Sequence, residues 1–252
     1  MLKKYFIAIA ISIWLMVAFS VTAAETQILY VYHHKPPYII DLEAQKGLYF
    51  DLAKLINAVQ KELQVEVRFV PRKRLDKQLE QQTLKGFILG VNPAWFDDRK
   101  KQKYLWSGPL MYDTDEFVSH VEQPFEYYHP SSLYGNQVGA IAGYYYRHLD
   151  QGVEQANIQR VNVNSEEALL EMILKRRVSI AIVSRSTTEY LVAKNGWKRV
   201  FHFSQNPHET YFRAILAPKN SASDFEALQR VLDSKPFKKQ LVKLLKSYHL
   251  AY

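Results

Sequence analysis

The chain has 252 residues, no cysteine and a formal net charge of +8, with 48% hydrophobic and 13% aromatic residues. That length suits one large domain or two small ones, and no stretch is of low complexity. Without cysteine, disulfides, thiolate metal sites and a lipid-modified N-terminal cysteine are excluded, so a hydrophobic core has to carry the stability.

Lys3 and Lys4 precede an apolar run from Tyr5 to about Ala18. Val21-Thr22-Ala23 or Thr22-Ala23-Ala24 then offers the small-x-small pattern of a signal-peptidase site. Residues 1–24 are expected to be a cleaved secretory signal. An uncleaved anchor is the alternative, the run being at the border of the roughly 20 apolar residues that span a bilayer. Export places the product in the periplasm, away from nucleic acid. The charge left after loss of Lys3 and Lys4, +6, then suits anionic lipid, an anionic solute or a plain solvated surface.

Residues 28–32 read as a buried strand, with Lys35-Pro36-Pro37-Tyr38 forcing an extended exit. After Gly47 the apolar residues Phe50, Leu52, Ala53, Leu55, Ile56 and Val59 share a helical face. Val65, Val67 and Phe69 alternate as a strand, Leu75 to Leu84 forms a helix, and Phe87–Val91 is the next strand. A second β/α series follows. It has strands at 137–142, around Val161 and Val163, and at 178–183, with helices after Gly143, from Asn164 to Lys175 and over 186–195. Asn164 and Glu167 form a capping-box pattern, and Gly196 is a C-terminal stop. Apolar residues from Phe225 to Leu245 mark C-terminal helices interrupted at Pro236. Two β/α units predict an α/β protein of two lobes, each an open, mostly parallel sheet flanked by helices. Extended segments 112–120 and 208–217 are candidates for the strands that join them.

Several segments resemble, in order and spacing, the family 3 periplasmic solute-binding proteins, known as amino-acid receptors of ABC importers. Lys35-Pro36-Pro37-Tyr38 looks like the family's Pro-aromatic turn, and Gly47-Leu48-Tyr49-Phe50-Asp51-Leu52-Ala53 is similar to its Gly-x-x-Phe-Asp signature, shortened before the Asp. Asp98-Arg99-Lys100-Lys101 followed by Trp106-Ser107-Gly108-Pro109-Leu110 resembles its Glu-Arg and Phe-Ser-x-Pro-Tyr run. Glu167-Ala168-Leu169 through Ile180-Ala181-Ile182-Val183 matches a helix–strand pair of the family. The resemblance implies a type II periplasmic binding fold of two lobes joined by two crossing strands. Its lobes are 25–116 with the returning segment 212–252, and 117–211. It also implies a monomer that captures a small polar solute, anionic or amino-acid-like, by hinge closure and presents it to an inner-membrane ABC permease or a sensor receptor.

The same resemblance points to solute-contacting residues. Arg99 stands where the family clamps a carboxylate, a task suited to the planar guanidinium fork; a surface Arg is the alternative. Asn92 and Trp95 lie on the preceding loop, Trp95 as an aromatic wall or a core residue. Tyr38 belongs to the Pro-aromatic turn, and Arg74 follows the second strand in the basic run Arg72-Lys73-Arg74. Tyr144 and Tyr145 replace small hydroxyl residues at a helix N-terminus that could offer N–H groups to an anion. Ser184 replaces the acid that pairs with an α-ammonium in many relatives, which speaks against a standard amino acid. Adjacent His33 and His34 point to opposite sides of a strand, so together they ligate no metal. No metal, cofactor or catalytic residue is expected. The competing readings are a dehydratase-like enzyme, with Asp113, Asp115, Glu116 or His34 as candidates, and a diffusible sensor that docks on a receptor kinase.

Overall fold

The computed structural model describes residues 26–59 and 63–250, and the expected signal lies outside them. In chain order the elements are β1 (Thr26–Val31), α1 (Leu48–Val59), β2 (Gln64–Phe69), α2 (Arg72–Glu80), β3 (Phe87–Val91), β4 (Leu105–Trp106) and β5 (Met111–His120). Then follow β6 (Gln137–Ile141), α3 (Arg147–Glu154), β7 (Gln159–Val163), α4 (Glu166–Leu174), β8 (Ile180–Ser184) and α5 (Arg185–Asn195). The chain closes with β9 (Phe201–Phe203), β10 (Glu209–Ala217), α6 (Ala222–Asp233) and α7 (Lys235–Ser247).

The predicted alternation of strand and helix is present, with local differences that have simple causes. Helix α2 begins at Arg72 rather than Leu75, because Pro71 already holds the φ that starts a helix. It stops at Glu80, where Gln82 turns into the left-handed region at φ 55°. Helix α4 is capped by Ser165, whose Oγ accepts from the Ala168 N–H at 3.2 Å, one residue beyond the expected Asn164. Pro236 occupies the first turn of α7, where a missing N–H costs nothing, and Ser234 caps the same turn.

In lobe one β1 lies between parallel β2 and β3, and β3 meets antiparallel β10. In lobe two β6 lies between parallel β7 and β8, and β8 meets antiparallel β5. Residues 111–115 of β5 pair with 209–213 of β10. Beyond that shared ladder the two strands part, β5 into the second sheet through 115–119 and β10 into the first through 214–217. These are the two crossing strands that the sequence places at 112–120 and 208–217.

Strand periodicity decides which side each residue buries. On β8, Ile180 and Ile182 pack with Phe117, Val138 and Leu149, while Ala181 and Val183 pack with Val118, Leu169, Leu170 and Leu191 on the opposite face. In lobe one, Leu29, Val31, Phe87 and Leu89 face α1, α6 and α7, and Ile88 and Val91 face Leu75 and Leu79 of α2. Each parallel sheet is thereby covered on both sides, as parallel sheets require. Gly90, at φ +78°, is the penultimate residue of β3, where a Cβ would lie 1.9 Å from the Tyr49 hydroxyl, so only glycine lets the strand turn toward the hinge.

Candidate functional site

An open α/β sheet leaves room for ligands at the carboxyl ends of its strands. Here the ends of β1, β3, β6 and β8 meet across the seam between the lobes, with β5 and β10 as its floor. The turn after β1 brings Lys35 against lobe two. Its Nζ donates to Glu166 Oε1 at 2.6 Å and to Ser184 Oγ at 2.7 Å, and Ser184 Oγ donates to Glu166 Oε2 at 2.7 Å. Thr187 Oγ1 donates to the Pro36 carbonyl at 2.6 Å and tightens the same junction. Lys35 and Glu166 are 12% and 6% exposed, so this ion pair is shielded and strong in comparison with a surface pair.

A second polar node lies at the hinge. Asp113 accepts from Tyr38 Oη and Ser186 Oγ, both at 2.7 Å, and from the N–H groups of Thr114 (2.9 Å) and Ser186 (3.2 Å). Arg213, almost fully buried on β10, reaches it at 3.6 Å and also donates to the Gly90 carbonyl and to Tyr211 Oη. Burial alone raises the carboxyl pKa, but Arg213, Lys35 and the hydroxyl hydrogen bonds overcome it and hold Asp113 below its ordinary value. The guanidinium is also enclosed by aromatic faces, 4.3 Å from Tyr38, 5.1 Å from Tyr211 and 5.4 Å from Trp95.

Between the two nodes stands Asp115, partly buried and two residues from Asp113. Tyr211 Oη donates to it at 2.9 Å. Burial pushes its carboxyl up to about 7; Lys35 opposes the rise, while Glu166 and Asp113 add to it. An arc of rings borders this space. Tyr211 contacts Trp95 at 5.1 Å between centroids, Trp95 contacts His33 at 5.4 Å, His33 contacts Tyr144 at 6.2 Å, and Tyr144 contacts Tyr146 at 6.4 Å. His33 is 6% exposed and its Nδ1 has no partner. Burial, and then Arg213, Lys35 and Arg72, keep its pKa well below normal, so the ring is neutral.

The residues expected from the sequence are distributed unevenly over this site. Tyr38, Trp95, Tyr144 and Ser184 are brought together at the seam. Asn92 lies beside it but is consumed locally: Oδ1 accepts from the Ala94 N–H and Nδ2 donates to the Phe212 carbonyl. Tyr145 is 68% exposed. Arg74 is exposed on α2, and its neighbour Arg72 is the one held inward, by Asp76, Tyr32 and the Trp95 carbonyl. Arg99 is exposed and has no hydrogen-bond or ion-pair partner among the described residues. Its neighbour Asp98 is the buried member of the pair, tying the N–H groups of Gln102, Lys103 and Tyr104 and the Trp106 indole. At the turn before α3 the Tyr146 N–H is taken by Asp150, itself paired with Arg160, so the protein's own carboxylate uses a group expected for an anion.

Lys35, Glu166, Ser186, Thr187, Arg213 and Tyr211 are members that sequence reasoning did not assign to the site. Arg213 left a signal, a lone charge inside the apolar strand Tyr211-Phe212-Arg213-Ala214-Ile215-Leu216. Glu166 left none, since one of two adjacent glutamates at a helix start is chosen only by where the cap falls. Among the described residues no group of three or more His, Asp or Glu is placed to hold a metal ion, and no helix is long and apolar enough to cross a membrane.

No protein-family model matches the chain, nor does any curated protein sequence at a significant level. Solved structures do share its fold. A histidine kinase sensor domain with similarity to periplasmic binding proteins superposes with a TM-score of 0.71 at 13% identity, covering 91% of this chain and 99% of that one. A mutant of ArgBP from T. maritima gives 0.68 at 15% identity, covering 91% and 97%. The substrate-binding protein of an amino acid ABC transporter gives 0.65 at 14% identity, covering 89% and 99%. At these identities the likeness establishes the two-lobed periplasmic binding protein fold.

Proposed function

We propose that the chain is an exported solute-binding protein, which captures a small polar solute at the seam by hinge closure and presents the closed form to an inner-membrane ABC permease. One observation carries this reading. Polar and aromatic side chains from the carboxyl ends of the parallel strands of the two lobes face each other across a junction crossed by two strands. A pivot of that kind turns differential affinity for the closed shape into capture. The fold shared with the substrate-binding protein of an amino acid ABC transporter supports it.

The test is a solute screen by thermal unfolding, covering amino acids, amines, dicarboxylates, sugar acids and phosphorylated compounds. A bound solute raises Tm in proportion to RT ln(1 + [L]/Kd) and compacts the particle in solution scattering. It is also recovered unchanged, which separates binding from the dehydratase alternative. A screen in which no class of solute moves Tm overturns the proposal. The second reading, a sensory module, is supported by the fold shared with a histidine kinase sensor domain. It predicts that the closed form is retained by a receptor ectodomain and not by a permease.

A further inference from the structure

We propose that the seam contains a subsite for the cationic group of the solute, a primary ammonium or a guanidinium, formed by the Asp115 carboxylate under the aromatic arc of Tyr211, Trp95 and Tyr144. The inference rests on the solute-binding reading and gives the solute a charge.

The first argument is the balance of charge. Asp113 is matched by Arg213, and Glu166 by Lys35. Asp115 has no ion-pair partner among the described residues; its one side-chain bond is the Tyr211 hydroxyl on Oδ1. It lies on β5 directly opposite Ser184 of β8, on the strand face it shares with Asp113, so its carboxylate confronts two like charges, supported by one hydrogen bond and by a Lys35 ammonium that is already paired with Glu166. An anion entering here meets Asp115 and Glu166 together. A cation relieves that repulsion.

The second argument is the wall. Tyr211, Trp95, His33 and Tyr144 make successive ring contacts; Arg213 already sits against Tyr211 and Trp95, an internal instance of the attraction that such faces exert on organic cations, and Tyr144 has no cation of the protein over it among the described residues. The third is independent of charge. His33 is buried in that arc with Nδ1 unpartnered, and a neutral imidazole has one lone-pair nitrogen able to accept from an N–H donor. A carboxylate, an imidazole acceptor and aromatic faces are all complementary to a donor-rich cation. The cations that bear on His33, Arg213, Lys35 and Arg72, are each already paired with a carboxylate of the protein, Asp113, Glu166 and Asp76.

Titration calorimetry on the exported chain tests this with agmatine, putrescine and L-arginine against glutarate and succinate, which carry no nitrogen. At least one cation is expected to bind, at least tenfold more tightly than either dicarboxylate. Asp115→Asn lowers cation affinity tenfold or more. Because a cation prefers the ionised carboxylate, wild-type affinity rises by up to about tenfold from pH 6 to pH 8 with release of a proton, and the variant loses that dependence. The groups facing Asp115 are Lys35, Glu166, Asp113, Glu209, Tyr211, Tyr144, Tyr146 and His208, and the variant separates its titration from theirs. His208 is held at about 4, chiefly by burial. Folding of the variant is checked by its own melt, expected at or above the wild-type Tm near pH 8. Binding of glutarate or succinate without any cation sinks the subsite and leaves the solute-binding reading standing. Silence from every class sinks both.

Discussion

Asp113 and Asp115 stand two residues apart on one face of β5, and the fold treats them in opposite ways. Asp113 receives hydroxyls from Tyr38 and Ser186, two backbone N–H groups and the nearby Arg213, and its pKa is held down against burial. Asp115 receives Tyr211 and is pushed up to about 7 by burial, with Glu166 and Asp113 adding. Burial by itself does not make a carboxylate structural or functional. The number of groups that answer it does. A charge fully answered by its own protein joins the lobes, whereas one left under-answered is where an incoming group gains most.

The hardest blow to this contrast is Arg213→Met. It leaves Asp113 buried with its cation gone, a change that costs about 3–5 kcal/mol when one partner of a buried pair is removed. Urea unfolding near pH 7 measures it. The sign of the pH dependence follows from the depressed pKa: the Asp113 contribution is present above the ordinary carboxylate value and lost as pH falls through its folded value. In the variant the Asp113 pKa rises, so that loss begins at higher pH. A cost below about 1 kcal/mol means that Asp113 is held by its hydroxyl and N–H donors, and the hinge node is then mainly neutral.

Lys35→Met strikes the other node and has a smaller expected effect on stability. Glu166 and Ser184 lose their ammonium partner, but they lie on lobe two, and separation of the lobes returns Glu166 to water. That escape limits the cost to about 1–2 kcal/mol, below the value for a charge that stays trapped. The change is expected in shape instead, as a larger radius of gyration in solution scattering that added solute reverses in part. An unchanged radius and a loss as large as that of Arg213→Met means that the lobes cannot separate at this junction.

Most of the fold was legible, and the site only in part, for a physical reason. Strands such as 178–183 and helices such as 48–59 announce themselves through periodic burial, which is a local property. The crossing strands were visible as extended runs for the same reason. A polar site depends on partners far away in the chain, from 73 positions between Asp113 and Ser186 to 151 between Pro36 and Thr187. Nothing near Lys35 names Glu166 or Ser184, and the Ser184 position, short of an acid in the sequence, receives a carboxylate from another element. The basic run 72–74 shows the limit well. Its composition is visible, but helix phase alone decides that Arg72 turns inward to Asp76 and Trp95 while Arg74 faces water.

The smallest expected effect belongs to Arg99→Ala, and it is informative because the motif around Arg99 resembles a carboxylate clamp. The turn Asp97-Asp98-Arg99 puts its ordering into Asp98, 3% exposed and bonded to three N–H groups and the Trp106 indole. Arg99 follows on the outside of that knot. Substitutions of exposed, unpartnered side chains change stability by no more than about 0.5 kcal/mol, and solute affinity is expected to stay within about twofold, which is roughly 0.4 kcal/mol. Asp98→Ala in the same turn removes the acceptor of those bonds and costs more. A tenfold loss of affinity from Arg99→Ala, with Tm unchanged in the absence of solute, implies that the turn swings its arginine inward when solute binds. The polarity of the site then changes as well, with an anionic group of the solute held on lobe one and the cationic group on Asp115.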